Sequence, residues 1–129
     1  MRALGSTLGA LERATQSDGD PTRALHDAVA AIGRIAERAA GDGPLDGLRR
    51  RQLVSRGARI LSGIIRRGVE SGTFQPPCPR WAVESLPRAV VAGVCARWVF
   101  DLREERSLRA GAAADAALDV LRPRVPVMR

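Results

Sequence analysis

At 129 residues the chain has the length of one ordinary domain, enough to bury a core without disulfide or metal staples. It is 45% hydrophobic but only 3% aromatic, with two Phe, two Trp and no Tyr, so Ala, Val, Leu and Ile must fill the interior, which favours closely spaced helices over a sheet. Formal charge is +7, but the 21 basic residues are interleaved with 14 acids and few aromatics are present to stack on bases, so a solvated, salt-bridged helical surface outranks a nucleic-acid face.

Every basic residue except His26 is Arg, and Asn is absent as well, a pattern that reads as codon bias rather than chemistry. Cys78 and Cys95 stand seventeen residues apart with no CxxC and a single His, which gives neither zinc spacing nor a disulfide framework. The longest stretch without a polar side chain, Ala89 to Ala96, falls far short of the roughly 18 apolar residues of a membrane span. Glu12 and Arg13 interrupt any apolar region of a signal peptide, so a cytoplasmic location is expected.

In chain order, Leu4, Leu8 and Leu11 have helical spacing, but Gly5 and Gly9 weaken the pattern, and residues 1–20 read as a piece of helix or a connector followed by a loop. Asp20 is an N-cap candidate and Pro21 a first helical residue. From there Ala24, Leu25, Ala28, Val29, Ile32, Ile35, Ala36 and Ala39 fall in an arc of about 140°, with Arg23, Asp27, Arg34, Glu37 and Arg38 opposite. Gly41-Asp42-Gly43-Pro44 closes this helix.

A longer helix is expected from about Leu45 to Ser71, with Leu53, Val54, Ala58, Ile60, Leu61, Ile64, Ile65 and Val69 on one half and Arg49, Gln52, Arg56, Arg59, Arg66, Arg67 and Glu70 on the other. Gly57 and Gly68 lie on the apolar half, where a missing side chain lets another backbone approach. Gly72 is a C-cap candidate, and Pro76-Pro77-Cys78-Pro79 cannot continue a helix. The next helix runs from Arg80 to about Leu102, with Pro87 either kinking it or marking its true start. Its segment from Ala89 to Ala96 is apolar on all sides, which implies burial around the full circumference and more apolar surface than one small bundle covers. Arg103-Glu104-Glu105-Arg106 is a polar turn, Ser107 an N-cap candidate, and Leu108 to Leu121 an Ala-rich helix stopped by Pro123. The expected fold is therefore all-α: an antiparallel bundle of about five helices, with the domain proper at residues 21–124 and a tail at 125–129.

The run Arg67-Gly68-Val69-Glu70-Ser71-Gly72-Thr73-Phe74, the later Val91-Ala92-Gly93 and Arg97-Trp98, and the final helix ending at Leu121-Arg122-Pro123 resemble the C-terminal domain of tetracycline-repressor-type (TetR family) transcriptional regulators. The resemblance spans roughly residues 21–124. It implies a helical bundle with an effector pocket inside and a four-helix dimer interface made by the last two long helices. Regulators of this type begin with a helix-turn-helix, and residues 1–20 do not hold one, so direct sequence-specific DNA binding by this chain alone is not expected.

Candidate pocket walls are Leu61, Ile64, Ile65, Val94 and Trp98, although such residues are more often plain core and Trp98 more often a core or interface anchor. Candidates for the dimer seam are Val91, Gly93, Cys95, Val99, Ala113 and Ala117, because small residues let helices approach. Cys95 reads as an inert structural thiol, Cys78 as an exposed one, and His26 as an exposed histidine without ligand partners. No catalytic constellation, metal set or phosphate loop is visible, so no enzyme activity and no cofactor are expected. The expected function is effector binding and dimerisation in a TetR-type regulator. Its partners would be a small, largely apolar effector and a second subunit, either a copy of this chain or a full-length relative. The alternative is a small basic helical module that binds an acidic protein or nucleic acid through Arg49, Arg56, Arg59, Arg66 and Arg67.

Overall fold

The computed structural model describes residues 2–16, 19–40, 47–94 and 110–121, and every regular element among them is a helix. In chain order these are α1 (Arg2–Gln16), α2 (Pro21–Ala40), α3 (Gly47–Glu70), α4 (Pro79–Glu84), α5 (Leu86–Val94) and α6 (Ala110–Leu121). The fold is an all-α bundle. The expected loop at 41–44, the turn at 103–106, the Ser107 cap and the Pro123 stop lie outside the described residues.

The start of α2 follows its sequence signals. The Asp20 carboxylate accepts the Thr22 N–H at 3.1 Å and its carbonyl accepts the Ala24 N–H at 2.9 Å, while Pro21 takes the first helical position, where no donor is needed. Ala24, Leu25, Ala28, Val29, Ile32, Ile35 and Ala36 are all buried, and the charged residues of the opposite arc are exposed. The central helix is α3, which packs against α1, α2, α4 and α5. Leu53, Ile60, Leu61, Ile64 and Ile65 form its buried side.

The first helix spans 15 residues, and it packs on α2 and α3 with Leu8 fully buried in the common core. The two glycines that weaken its pattern are the reason it fits. A β-carbon at Gly5 would lie 3.2 Å from Gln52 Nε2 and 3.5 Å from Arg56 Nη1, and one at Gly9 would lie 3.7 Å from Arg56 Nη2. The bare backbone at these positions forms a slot for the Arg56 guanidinium, which donates to the Gly5 carbonyl at 3.1 Å. Near the other end, Arg67 Nη2 donates to the Thr15 carbonyl at 2.8 Å. The two bonds join residues 51 and 52 positions apart, a near-constant offset that requires α1 and α3 to run in the same direction.

At its C-terminus α3 stops where Gly72 adopts φ +81°, a left-handed conformation that costs glycine nothing. The chain folds back, the Phe74 N–H bonds the Gly68 carbonyl at 2.9 Å, and the Phe74 ring, 1% exposed, settles on Gly68. A β-carbon at Gly68 would overlap that ring. The close approach expected there is thus made by a side chain six residues on, not by another backbone. Gly57 behaves likewise, with Val91 and Ile32 side chains 3.3 to 3.5 Å from where its β-carbon would stand.

The next residue, Gln75, donates its N–H to the Leu121 carbonyl at 2.9 Å and so anchors the end of α6. After the prolines, α4 forms a short first turn and Ser85 separates it from α5, so Pro87 lies at the true start of a helix instead of kinking a longer one. The Ser62 hydroxyl donates to the Val83 carbonyl at 2.9 Å, and Val91 covers Gly57, so this arm runs back along α3 in the opposite direction.

Two glycine substitutions in α3 should therefore have opposite signs. Gly63 has open space where a β-carbon would go, so Gly63→Ala is expected to stabilise by about 0.5–1 kcal/mol through helix propensity. Gly68→Ala must displace Phe74 and should destabilise by about 1–3 kcal/mol despite the same propensity gain. Urea unfolding followed by circular dichroism checks both.

Candidate functional site

Of the expected pocket walls, Leu61, Ile64 and Ile65 on α3 and Val94 on α5 are buried together in the common core. Trp98 lies outside the described residues. None of these four residues lines either of two surface clefts formed by the described residues.

The seam candidates divide differently. Val91, Ala113 and Ala117 are 1–3% exposed within the single chain, so their own bundle already covers them. Gly93 is half-buried, and Cys95 and Val99 lie outside the described residues. The described part of α5 is accordingly one-sided, not buried around its full circumference: Val90, Val91 and Val94 face inward, Ala89 is exposed, and Ala92 and Gly93 are half-covered. Positions 89, 92 and 93 have the i, i+3, i+4 spacing of one helix face. The small-residue surface that the sequence places at Val91 thus lies one position further round the helix.

The five arginines expected to form one basic face also separate. Arg56 and Arg67 turn toward α1 and donate to its backbone. The second of these bonds serves a carbonyl in the last turn of α1, where a cation also meets the negative end of the helix dipole. Arg59 reaches toward Glu12 across 4.0 Å, and with 67% of its side chain exposed that pair contributes little. Arg49 is half-buried. Only Arg66 of the five is exposed and, among the described residues, without a hydrogen-bond or ion-pair partner. Sequence reasoning missed why: the partner of this face is α1, which its glycines disguise.

Both clefts border the row made by Arg59 and Arg66. One, of about 240 Å³, runs between α1 and α3 past Glu12, Thr15 and Arg67. The other, of about 260 Å³, lies between α3 and the α4–α5 arm and brings in Arg88, a residue that the sequence reading left unassigned. Among the described residues no three His, Cys, Asp or Glu side chains are grouped to hold a metal. Cys78 is a free, exposed thiol and His26 is exposed. Among the described residues Trp81 and Leu48 are the large apolar side chains most open to solvent. No helix among the described residues is long and apolar enough to cross a membrane.

No family model, curated protein or solved structure matches the chain. The geometry alone therefore supplies two surfaces with functional character: the small-residue face of α5, and the arginine-walled clefts on either side of the solvent face of α3.

Because Arg67 clasps α1 and Arg66 does not, the two neighbours should respond differently to truncation. Arg67→Ala is expected to cost about 1–2 kcal/mol and to speed amide hydrogen exchange in α1 ahead of the other helices. Arg66→Ala should stay within about 0.5 kcal/mol of the parent protein. Native-state hydrogen exchange read by mass spectrometry separates the two.

Proposed function

We propose that this chain is the effector-binding and dimerisation module of a tetracycline-repressor-type transcriptional regulator, acting in the cytoplasm. The observation that carries the reading is the face of α5 at Ala89, Ala92 and Gly93, which its own bundle leaves uncovered or half-covered while the valines on the other side are buried. Small side chains at that spacing let a second helix come close, and two copies related by a two-fold axis would present the same face to each other. The run from Arg67 to Phe74, which carries the family resemblance, is also the turn that sends the chain back into α4 and α5, and the all-α bundle agrees with it.

In such a module the effector acts by selecting between packings. A small, largely apolar molecule would enter among Leu61, Ile64, Ile65 and Val94, where α3 meets α5, and would bind better to an arrangement with these helices slightly parted. Since α5 also carries the pairing face, any shift in it changes how two subunits meet. The coupling of effector to partner follows from one helix having both roles.

Size-exclusion chromatography with light scattering tests the pairing directly. A dimer at micromolar concentration is expected, and Ala92→Arg should convert it to a folded monomer with unchanged helical circular dichroism, because each interface would then face a second guanidinium at its centre. A parent protein that remains monomeric up to hundreds of micromolar would overturn the reading.

A further inference from the structure

The cleft between α3 and the α4–α5 arm has a character that pairing does not use. Successive turns of α3 bring Arg59, Ser62 and Arg66 to its edge, and the opposing arm brings Glu84 and Arg88. Glu84 is the acid on its wall, and that carboxylate is paired with Arg80 at 3.3 Å, one helical turn away. Arg66 and Arg88 have no hydrogen-bond or ion-pair partner among the described residues, and Arg59 has only the 4.0 Å approach to Glu12. Three arginines therefore line one opening of about 260 Å³, and among the described residues Glu84 is the carboxylate on its wall. Ser62 Oγ is held by its bond to the Val83 carbonyl, which fixes the two walls relative to each other.

Like charges gathered this way repel, and the repulsion becomes attraction when an anion sits between them. A guanidinium offers a planar fork of N–H donors that matches two oxygens of a phosphate, and a phosphate dianion has three oxygens to share among three forks. A monocarboxylate would satisfy only one of them. The apolar side of the cleft, at the half-buried Ala58 and Val83, would meet the organic remainder of a ligand.

We propose that this cleft binds the phosphate group of a small phosphorylated molecule, with Arg59, Arg66 and Arg88 as its direct partners. Arg88 stands one turn before Ala92, so the site borders the small-residue face of α5, but it does not rest on dimerisation. A duplex nucleic acid is the less favoured occupant. Its backbone needs a row of cations tracking successive phosphates, whereas here Arg56 and Arg67 are bound to α1, and of the five arginines of that face Arg59 and Arg66 are the two at the cleft.

Titration of the ¹⁵N-labelled protein with inorganic phosphate and with glycerol 3-phosphate, at constant ionic strength set by chloride, tests the assignment. Saturable shifts confined to residues around the cleft are expected, with acetate producing none. Arg66→Gln and Arg88→Gln should each weaken phosphate binding about tenfold. Arg51→Gln, exposed on α3 but not a lining residue of the cleft, should bind as the parent does. Affinity should fall as pH drops through about 6, where a phosphate monoester takes up its second proton. The proposal is overturned if phosphate shifts the spectrum no more than chloride, or if Arg51→Gln weakens binding as much as Arg66→Gln does, since that would mark general screening. Binding of duplex DNA that is lost in the same variants, with no response to phosphate, would reassign the cleft to nucleic acid and equally overturn it.

Discussion

The Phe74 ring lying on the bare backbone of Gly68 is the contact on which the rest of the bundle depends. In a chain with almost no aromatic residues it is the largest fully buried side chain among the described residues, and it sits where α3 ends. Burying it is worth on the order of 2–3 kcal/mol, and it can be buried there only because Gly68 has no side chain and Gly72 can turn the backbone left-handed. The consequences run outward from that turn. Gln75 is delivered to the last carbonyl of α6, and the prolines that follow set α4 and α5 on a course back along α3. The position of the small-residue face and of the arginine-walled cleft both follow from this reversal.

Much of the architecture was legible because it rests on local rules. The arcs of α2 and α3, the Asp20 cap and the stop at Gly72 each depend on residues within one or two turns of one another, and the structure places them as the periodicity requires. The first helix was only partly legible, through Leu4, Leu8 and Leu11 at helical spacing, for a complementary reason. Propensity charges Gly5 and Gly9 against α1 as weak helix formers, but the benefit they bring comes from Arg56, which lies about fifty residues downstream. A local scale records the cost of a glycine and is blind to the distant side chain that fits against it.

The candidate site shows the same division more sharply. A helical wheel separates apolar from polar positions, yet it does not say whether an apolar position is covered by its own chain or by another. Val91, Ala113 and Ala117 carry the right residue types for a seam and are interior residues, while Ala89 and Ala92 look no different in sequence and remain open or half-open. On α5 the direction from which α3 approaches decides between them, whereas Ala113 and Ala117 lie on α6, which packs against α2 and α5. Gly57 admits the Val91 side chain, and that one contact rotates the remainder of α5 so that positions 89, 92 and 93 face away.

The arginines of α3 resolve along the same lines. At about 100° per residue, Arg56 and Arg67 fall within about 20° of each other, and so do Arg59 and Arg66, with the two pairs about 80° apart. The first pair faces α1 and holds two of its carbonyls; the second faces solvent between the clefts. One residue type can fill both roles because a guanidinium is at once a long, partly apolar arm that packs against a helix and a permanent cation with directed donors. The inner pair stabilises the bundle, and in doing so it removes those charges from any ligand. What remains for recognition is a small convergent group, Arg59 and Arg66 joined by Arg88 from the opposite arm. Three arginines far apart in the sequence are thus brought by the fold to one opening.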